Sequence, residues 1–429
     1  MRKTGTWLSR SLIACIVAIA ALIVGGTNAR AGEVEVLHFW TSPGEAQAIA
    51  QLKALIAERG HTWKDFAVVG GGGGNAGQAL RVRVAAGAPP AAAAMKGPEI
   101  QEWAAQGVLT NLDMMAAFDH WDEVIPQELR NLVKYRGHYV AVPVNVHRAN
   151  WLWANMALLR RAGIPAMPAD YDAFFAAADK LRSAGVLPVA IGAEPWQEFV
   201  LFDDVALGVG GADFYRSALI QLDPATINSA TMARVLQTFR RIKSYTDTRG
   251  PDQSWNRATA QLIAGKAAFQ FMGDWAKGEF TTAGLSAGTD FVCEKAPGTA
   301  LAFDYVVDTF AMFQLRNWEA QRAQGYLAYV LMGERFQHDF NIRKGSIPVR
   351  KGISPVGFDS CALTSMRDFD ASARSGQLVP SVAIDMALPT DIHAQVQGVV
   401  SGFWEDDRRS VDDAIRRLLA IATERRNAR

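Results

Sequence analysis

Apolar positions change their period several times along this chain, and the order of the changes predicts an α/β protein. Glu33 to Phe39 alternates as a half-buried strand does, and from Ala46 to Arg59 the residues Ile49, Leu52, Leu55 and Ile56 share one helical face until Gly60 stops it. Lys64 to Val69 reads as a second strand, which meets five glycines, Gly70 to Gly74, before another helical pattern opens at Ala76. Strand, helix, strand, helix is the order of an α/β lobe.

Leu112-Asp113 leads into a helical stretch, and His138 to Val144 reads as a strand entering Asn145-Val146-His147. Helical periodicity then dominates from Ala154 to Leu207 and from Ser229 to Tyr245, with strand-like pieces such as Val186 to Ile191, which predicts a second, more helical lobe. Tyr305 to Phe313 is mostly apolar and β-rich, the pattern of one central strand. From Asp406 to Arg429 the charges are spaced around Val411, Ile415, Leu418 and Leu419, as on an amphipathic surface helix.

The chain's start adds an export signal. Arg2, Lys3 and Arg10 precede an apolar run from Leu12 to Val24, and Ala29-Arg30-Ala31 is a small-x-small cleavage pattern, so residues 1–31 are expected to leave and the mature chain to begin near Gly32. The apolar run is shorter than the roughly 20 residues of a spanning helix. Leu12-Ile13-Ala14-Cys15 resembles a lipoprotein cleavage box, but the run continues past Cys15, which argues against lipidation. A periplasmic mature protein is expected. Removing the leader takes away four basic residues and turns 44 basic against 43 acidic into 40 against 43. Nothing in that balance suggests a nucleic-acid groove. The length of 429 residues exceeds one ordinary core, so two lobes are expected.

Cys293 and Cys361 remain after cleavage, and a lone pair of thiols in an oxidising compartment usually forms a disulfide, with two buried free thiols as the alternative. The candidate chemistry is that of binding. The first strand ends in Phe39-Trp40-Thr41-Ser42-Pro43-Gly44-Glu45, where Ser42 to Glu45 is a capping box with Pro at the first helical position. Such a helix start lies at the carboxyl end of a strand, where open α/β sheets take ligands, which makes Trp40 and Glu45 candidates. Lys96, Trp275 and Lys344 each stand close to glycine, where backbone and ligand can approach.

Other patterns lead nowhere. The glycine run has neither the Gly-Lys-Ser/Thr ending of a P-loop nor a dinucleotide fingerprint and reads as a permissive turn. Gly284-Leu285-Ser286-Ala287-Gly288 matches a nucleophile elbow but lacks the strand before and helix after, so a surface turn is expected. The histidines His38, His61, His120, His138, His147, His338 and His393 never stand three or four apart, so no zinc site and no cofactor is expected.

Read together, Val36 to Glu45, Gly70 to Asn75, Lys96-Gly97-Pro98, Pro143 to Arg148, Asn150 to Asn155, Gly208 to Tyr215, Gly273 to Phe280, Asp308-Thr309-Phe310 and Lys344 to Arg350 resemble the glucose/mannose-type monosaccharide-binding proteins of bacterial ABC importers. These stretches span nearly the whole mature chain in order. The resemblance implies a periplasmic binding protein fold of two discontinuous α/β lobes with a hinge, divided as 32–146 with 302–346 and 147–301 with 347–429. It also implies a sugar closed between the lobes, a disulfide between Cys293 and Cys361, and delivery of the sugar by a monomer to membrane permease subunits. Carried over by position, sugar contacts fall on Trp40 and Trp275 for stacking, and on Glu45, Lys96, Asp308 and Lys344 for hydroxyls. An indole covers the C–H face of a pyranose, carboxylates accept from its hydroxyls and ammoniums donate.

Two positions depart from that pattern. Phe39 stands where relatives usually carry a second Trp, and Ile384 replaces a sugar-contacting His, so glucose itself is in doubt. Asp304 and Asp385 are candidates to compensate, or the ligand is apolar at that rim, as a pentose or deoxy sugar is. The rival readings are a secreted glycosidase using Glu45 and Asp308 as acid and base, and a sensory sugar-binding protein that docks on a receptor.

Overall fold

The computed structural model describes residues 32–69, 74–247 and 254–427. The signal segment expected over residues 1–31, and the turn expected over most of the glycine run, lie outside the described residues. The first strand, Glu33–His38, runs parallel to Thr62–Ala67 on one side and to Ala92–Met95 on the other. Thr309–Met312 and Ala141–Pro143 extend the sheet antiparallel to five strands. Ala92–Met95 and Thr309–Met312 are buried at every position, which is why their sequences are apolar with no alternation, save Thr309, whose hydroxyl donates to Met95 O at 2.7 Å.

A second sheet of four strands, Phe291–Lys295, Trp151–Asn155, Ala267–Phe271 and Leu187–Val189 in that order, builds the other lobe. Its helices include Tyr171–Ser183, Pro195–Tyr215, Ala230–Lys243 and Thr390–Glu405. The amphipathic C-terminal pattern forms the helix Val411–Asn427, with Ile415, Leu418 and Ile421 buried. Cys293 and Cys361 form a disulfide that ties the edge strand Phe291–Lys295 to the helix Ser360–Ser375.

The run Tyr305 to Phe313 is not one strand. Phe303–Val306 pairs with Leu378–Pro380 and His147–Arg148 in a small third sheet, while Thr309–Met312 belongs to the five-stranded sheet. The chain changes sheets between them, at Val307 and Asp308. Hydrophobicity marks this break only by Asp308 and Thr309, because both halves are buried.

Three segments passing between the lobes are stitched together there. Val146 and Ile347 exchange both backbone hydrogen bonds at 2.9 Å, Val144 N donates to Asp308 O at 2.8 Å, and Ala149 N donates to Asp304 O at 2.8 Å. Asn145 adds a side-chain knot, accepting from Asp308 N at 3.2 Å and donating to Ser346 Oγ at 3.2 Å. Short crossings bonded to one another in this way can serve as a hinge without unravelling either lobe.

Gly284 to Gly288 is a turn between the helix Lys277–Thr282 and the strand Phe291–Lys295, the wrong order for a nucleophile elbow. Among the described residues no helix is long and apolar enough to cross a membrane, and no cluster of His, Cys, Asp and Glu could hold a metal ion.

Candidate functional site

The capping box forms as the sequence predicts, and it does more than start a helix. Ser42 Oγ accepts from Glu45 N at 3.3 Å, while Glu45 Oε2 accepts from Thr41 N at 3.1 Å and Ser42 N at 3.2 Å. This fixes the carboxylate and leaves Oε1 to take a charge-assisted bond from Lys344 Nζ at 3.1 Å. Lys344 is the last residue of the helix Glu334–Lys344, which ends on Gly345 at a φ of 93°. That helix packs on Pro43–Ala57, the helix whose first turn holds Glu45.

Between the lobes lies a cavity. Five residues singled out from sequence line it: Glu45, Lys96, Trp275, Asp308 and Lys344. Phe39 and Ile384 line it too. Lys96, just before the helix Gly97–Ala105, sets its Nζ 3.6 Å from Asp308 Oδ1 and 4.2 Å from the centre of the Phe39 ring.

Three candidates are not brought to the cavity. Trp40 is 2 % exposed, wedged between the rings of Phe310 and Phe340 at 5.4 Å each, and its indole nitrogen has no hydrogen-bond partner. Trp40 therefore packs in the core and is not part of the cavity wall. Neighbours along an extended chain face opposite ways, and here Phe39 takes the cavity side while Trp40 takes the core. Asp304 is 1 % exposed, and burial together with the charge of Asp203 pushes its pKa up; it does not reach the cavity. Asp385 pairs with His393 at 3.0 Å and lines a separate pocket with Glu99 behind Lys96. Neither aspartate stands in for the hydrogen-bonding group that Ile384 lacks.

Four lining residues escaped the sequence reading: His147, Trp196, Trp255 and Val306. His147 sits at a crossing, with Nδ1 on Asp274 Oδ1 and Nε2 3.1 Å from Asp308 Oδ2. Burial disfavours its charge, but the Asp274 carboxylate overrides that with help from Asp308, so its pKa is raised and the ring donates to both. Asp308 shows the reverse. Burial would raise its pKa, yet Lys96, His147 and Lys344 together hold the carboxyl well below the usual range. Trp196 and Trp255 open the helices Pro195–Tyr215 and Trp255–Ile263. The excess of Trp over Tyr, 12 against 8, was the one sequence signal for them.

Trp275 lies in the turn Asp274–Ala276, 8 % exposed, edge-on to His147 at 5.4 Å and 6.4 Å from Trp196. Its ring folds back over Gly273, where a Cβ would come within 2.1 Å of the indole. Only glycine allows that orientation.

The lining is segregated. Glu45, Lys96 and Lys344, with the Phe39 ring beside Lys96, come from elements around the five-stranded sheet, and Trp196, Trp255, Trp275 and Ile384 from the other lobe, with His147, Val306 and Asp308 at the crossings. Such a site can take a small molecule with a polar, hydrogen-bonding side and an apolar side.

Residues 42–314 match the family described as bacterial extracellular solute-binding protein. A "probable sugar-binding periplasmic protein" of Rhizobium meliloti is 41 % identical over 404 residues, covering 94 % of this chain and 97 % of the relative. Among solved structures, a chitin oligosaccharide binding protein superposes with a TM-score of 0.76 at 17 % identity, over 92 % of this chain and 98 % of that one. A bacterial solute receptor with an exclusive preference for β-D-galactopyranose gives 0.75 at 18 % identity, over 92 % and 99 %. At these identities the structural likeness speaks for the two-lobed fold alone.

Proposed function

Because the chain belongs to the bacterial extracellular solute-binding protein family, we propose that it is the periplasmic sugar-binding component of an ABC-type importer, closing over one monosaccharide and delivering it to a membrane permease. The observation that carries this is the divided cavity, with ionised side chains on one wall and indoles on the other. A pyranose has that same division, a rim of hydroxyls and a C–H face. Closure swings residues 32–146 with 302–346 against 147–301 with 347–429 about the three stitched crossings.

The charges in and behind the lining balance. Lys96, Lys344 and protonated His147 face Glu45, Asp308 and Asp274, which suits a neutral ligand. Each ion pair also presents lone pairs and N–H groups to hydroxyls without needing a countercharge. The name of the Rhizobium relative supports a sugar.

Ile384 and Val306 give the cavity an aliphatic edge where a hydroxyl would find no partner. A pentose or deoxy sugar places none there, so specificity is shifted away from glucose. Calorimetric titration with hexoses and pentoses tests this. Nanomolar binding of D-glucose overturns the shift, and no binding across the panel overturns the sugar itself.

Glycoside hydrolysis needs a carboxyl that gives up a proton at working pH. Asp308 is held ionised by its cationic neighbours, and Glu45 commits both oxygens to Lys344 and to backbone N–H groups. That favours binding over turnover.

A further inference from the structure

Next to the cavity, but outside its lining, the two lobes touch through bare backbone. Gly44 is the second residue of the helix Pro43–Ala57, and a Cβ built on it would lie 2.6 Å from the carbonyl carbon of Gly278 in the other lobe and 2.9 Å from Glu279 Oε1. The Gly44 N–H donates to that carboxylate oxygen at 2.9 Å, a buried bond between residues 235 apart in sequence. Its immediate neighbours in the first turn are served from within their own lobe. Pro43 has no N–H, Ser42 Oγ takes Glu45 N, and Ser42 O takes Ala46 N at 2.8 Å. The helix start therefore has one donor left over, and a carboxylate from the opposite lobe takes it, where the helix dipole also favours negative charge.

Both partners are mechanically tied to the cavity. Glu45 follows Gly44 directly, and Glu279 lies one helical turn beyond Trp275, in the helix Lys277–Thr282 that continues the turn Asp274–Ala276. Closing the Glu45 wall on the Trp275 wall brings Glu279 onto Gly44.

We propose that Glu279 is a positioning residue that latches the closed form, carrying closure energy through the Gly44 N–H without touching the ligand. This rests on the cavity being a ligand site closed between two lobes. The contact exists only when the lobes meet, so it adds to the lifetime of the closed form, with or without ligand, and leaves discrimination between sugars unchanged. Gly44 is required because any side chain there would prop the lobes apart.

The test compares the mature protein with Glu279→Ala, Glu279→Gln and Gly44→Ala. Hydrogen exchange at the Gly44 amide and the radius of gyration from small-angle scattering are measured without ligand and with D-glucose or D-xylose. Glu279→Ala is expected to speed exchange at Gly44 about tenfold or more and to enlarge the ligand-free particle, with Glu279→Gln between it and the wild type. Gly44→Ala separates latch from scaffold, since alanine suits a helix better than glycine. It should preserve or raise the melting temperature while opening the particle as Glu279→Ala does. Equal Gly44 exchange in the wild type and Glu279→Ala, or a Gly44→Ala protein as compact as the wild type, overturns the latch. If neither sugar alters the wild type while the ligand-free variants still differ, the latch stands and the choice of sugar falls.

Discussion

Lys344 Nζ stands 3.1 Å from Glu45 Oε1, joining the end of one helix to the start of another across 299 residues of sequence, and both side chains are almost out of solvent. The pair is at once structural and part of the cavity wall. Lys344→Met keeps the length of the side chain and removes the charge, leaving Glu45 buried without its partner. Breaking a buried pair from one side costs about 3–5 kcal/mol. The variant is expected to melt lower and to bind sugar at least tenfold more weakly, by thermal denaturation and calorimetry. Unchanged affinity would remove Lys344 from the binding set.

The two tryptophans proposed for stacking should behave in opposite ways. Trp275→Ala opens an already existing cavity, so it is expected to weaken sugar binding by about tenfold or more with little change in the melting temperature of the ligand-free protein. Trp40→Ala empties a space between Phe310 and Phe340 and is expected to cost about 3–5 kcal/mol of stability, while the folded fraction keeps its affinity. Intrinsic fluorescence titrations alongside thermal melts separate the two outcomes.

Stability should fall with rising pH because of Glu99. Burial and the charge of Asp385, with a smaller contribution from Glu102, push its carboxyl up from 4.5 to about 7, against the Trp103 indole N–H and Arg81, which pull the other way. Between those values the folded protein keeps a proton that the unfolded chain has released. Its contribution therefore declines by about 1.4 kcal/mol per pH unit from the ordinary glutamate pKa up to about 7, then levels off. Glu99→Gln, neutral at every pH, is expected to flatten that slope in melting temperatures recorded between about pH 5 and about pH 8. Identical slopes in both proteins would assign the dependence to other groups.

Reducing the Cys293–Cys361 bond releases a constraint spanning 68 residues. On the chain-entropy account that loop is worth about 4 kcal/mol, so a Cys293→Ala, Cys361→Ala protein is expected to lose several degrees of melting temperature. The cavity is built by other elements, and sugar affinity should stay close to that of the oxidised protein at temperatures where both are folded.

How far the site could be read from the chain varies by residue. Glu45 was legible because a capping box fixes its backbone locally, and Lys96, Trp275 and Lys344 because glycine neighbours and a family resemblance mark them. His147 was not, since its role comes from Asp274 and Asp308, over a hundred residues away. Trp196 and Trp255 looked like any aromatic at a helix start.

The sequence by itself determined the α/β periodicity, two lobes, the capped first helix, the cysteine pair and most of the charged wall, because these depend on local spacing, length and residue chemistry. Only the tertiary structure decided that Phe39 and not Trp40 faces the cavity, that Tyr305 to Phe313 breaks at Asp308, and that charges and indoles sit on opposite walls. Each of those turns on which of two buried environments a side chain enters. Hydrophobicity along a chain is the same for both, so the choice is made by the packing of segments hundreds of residues apart.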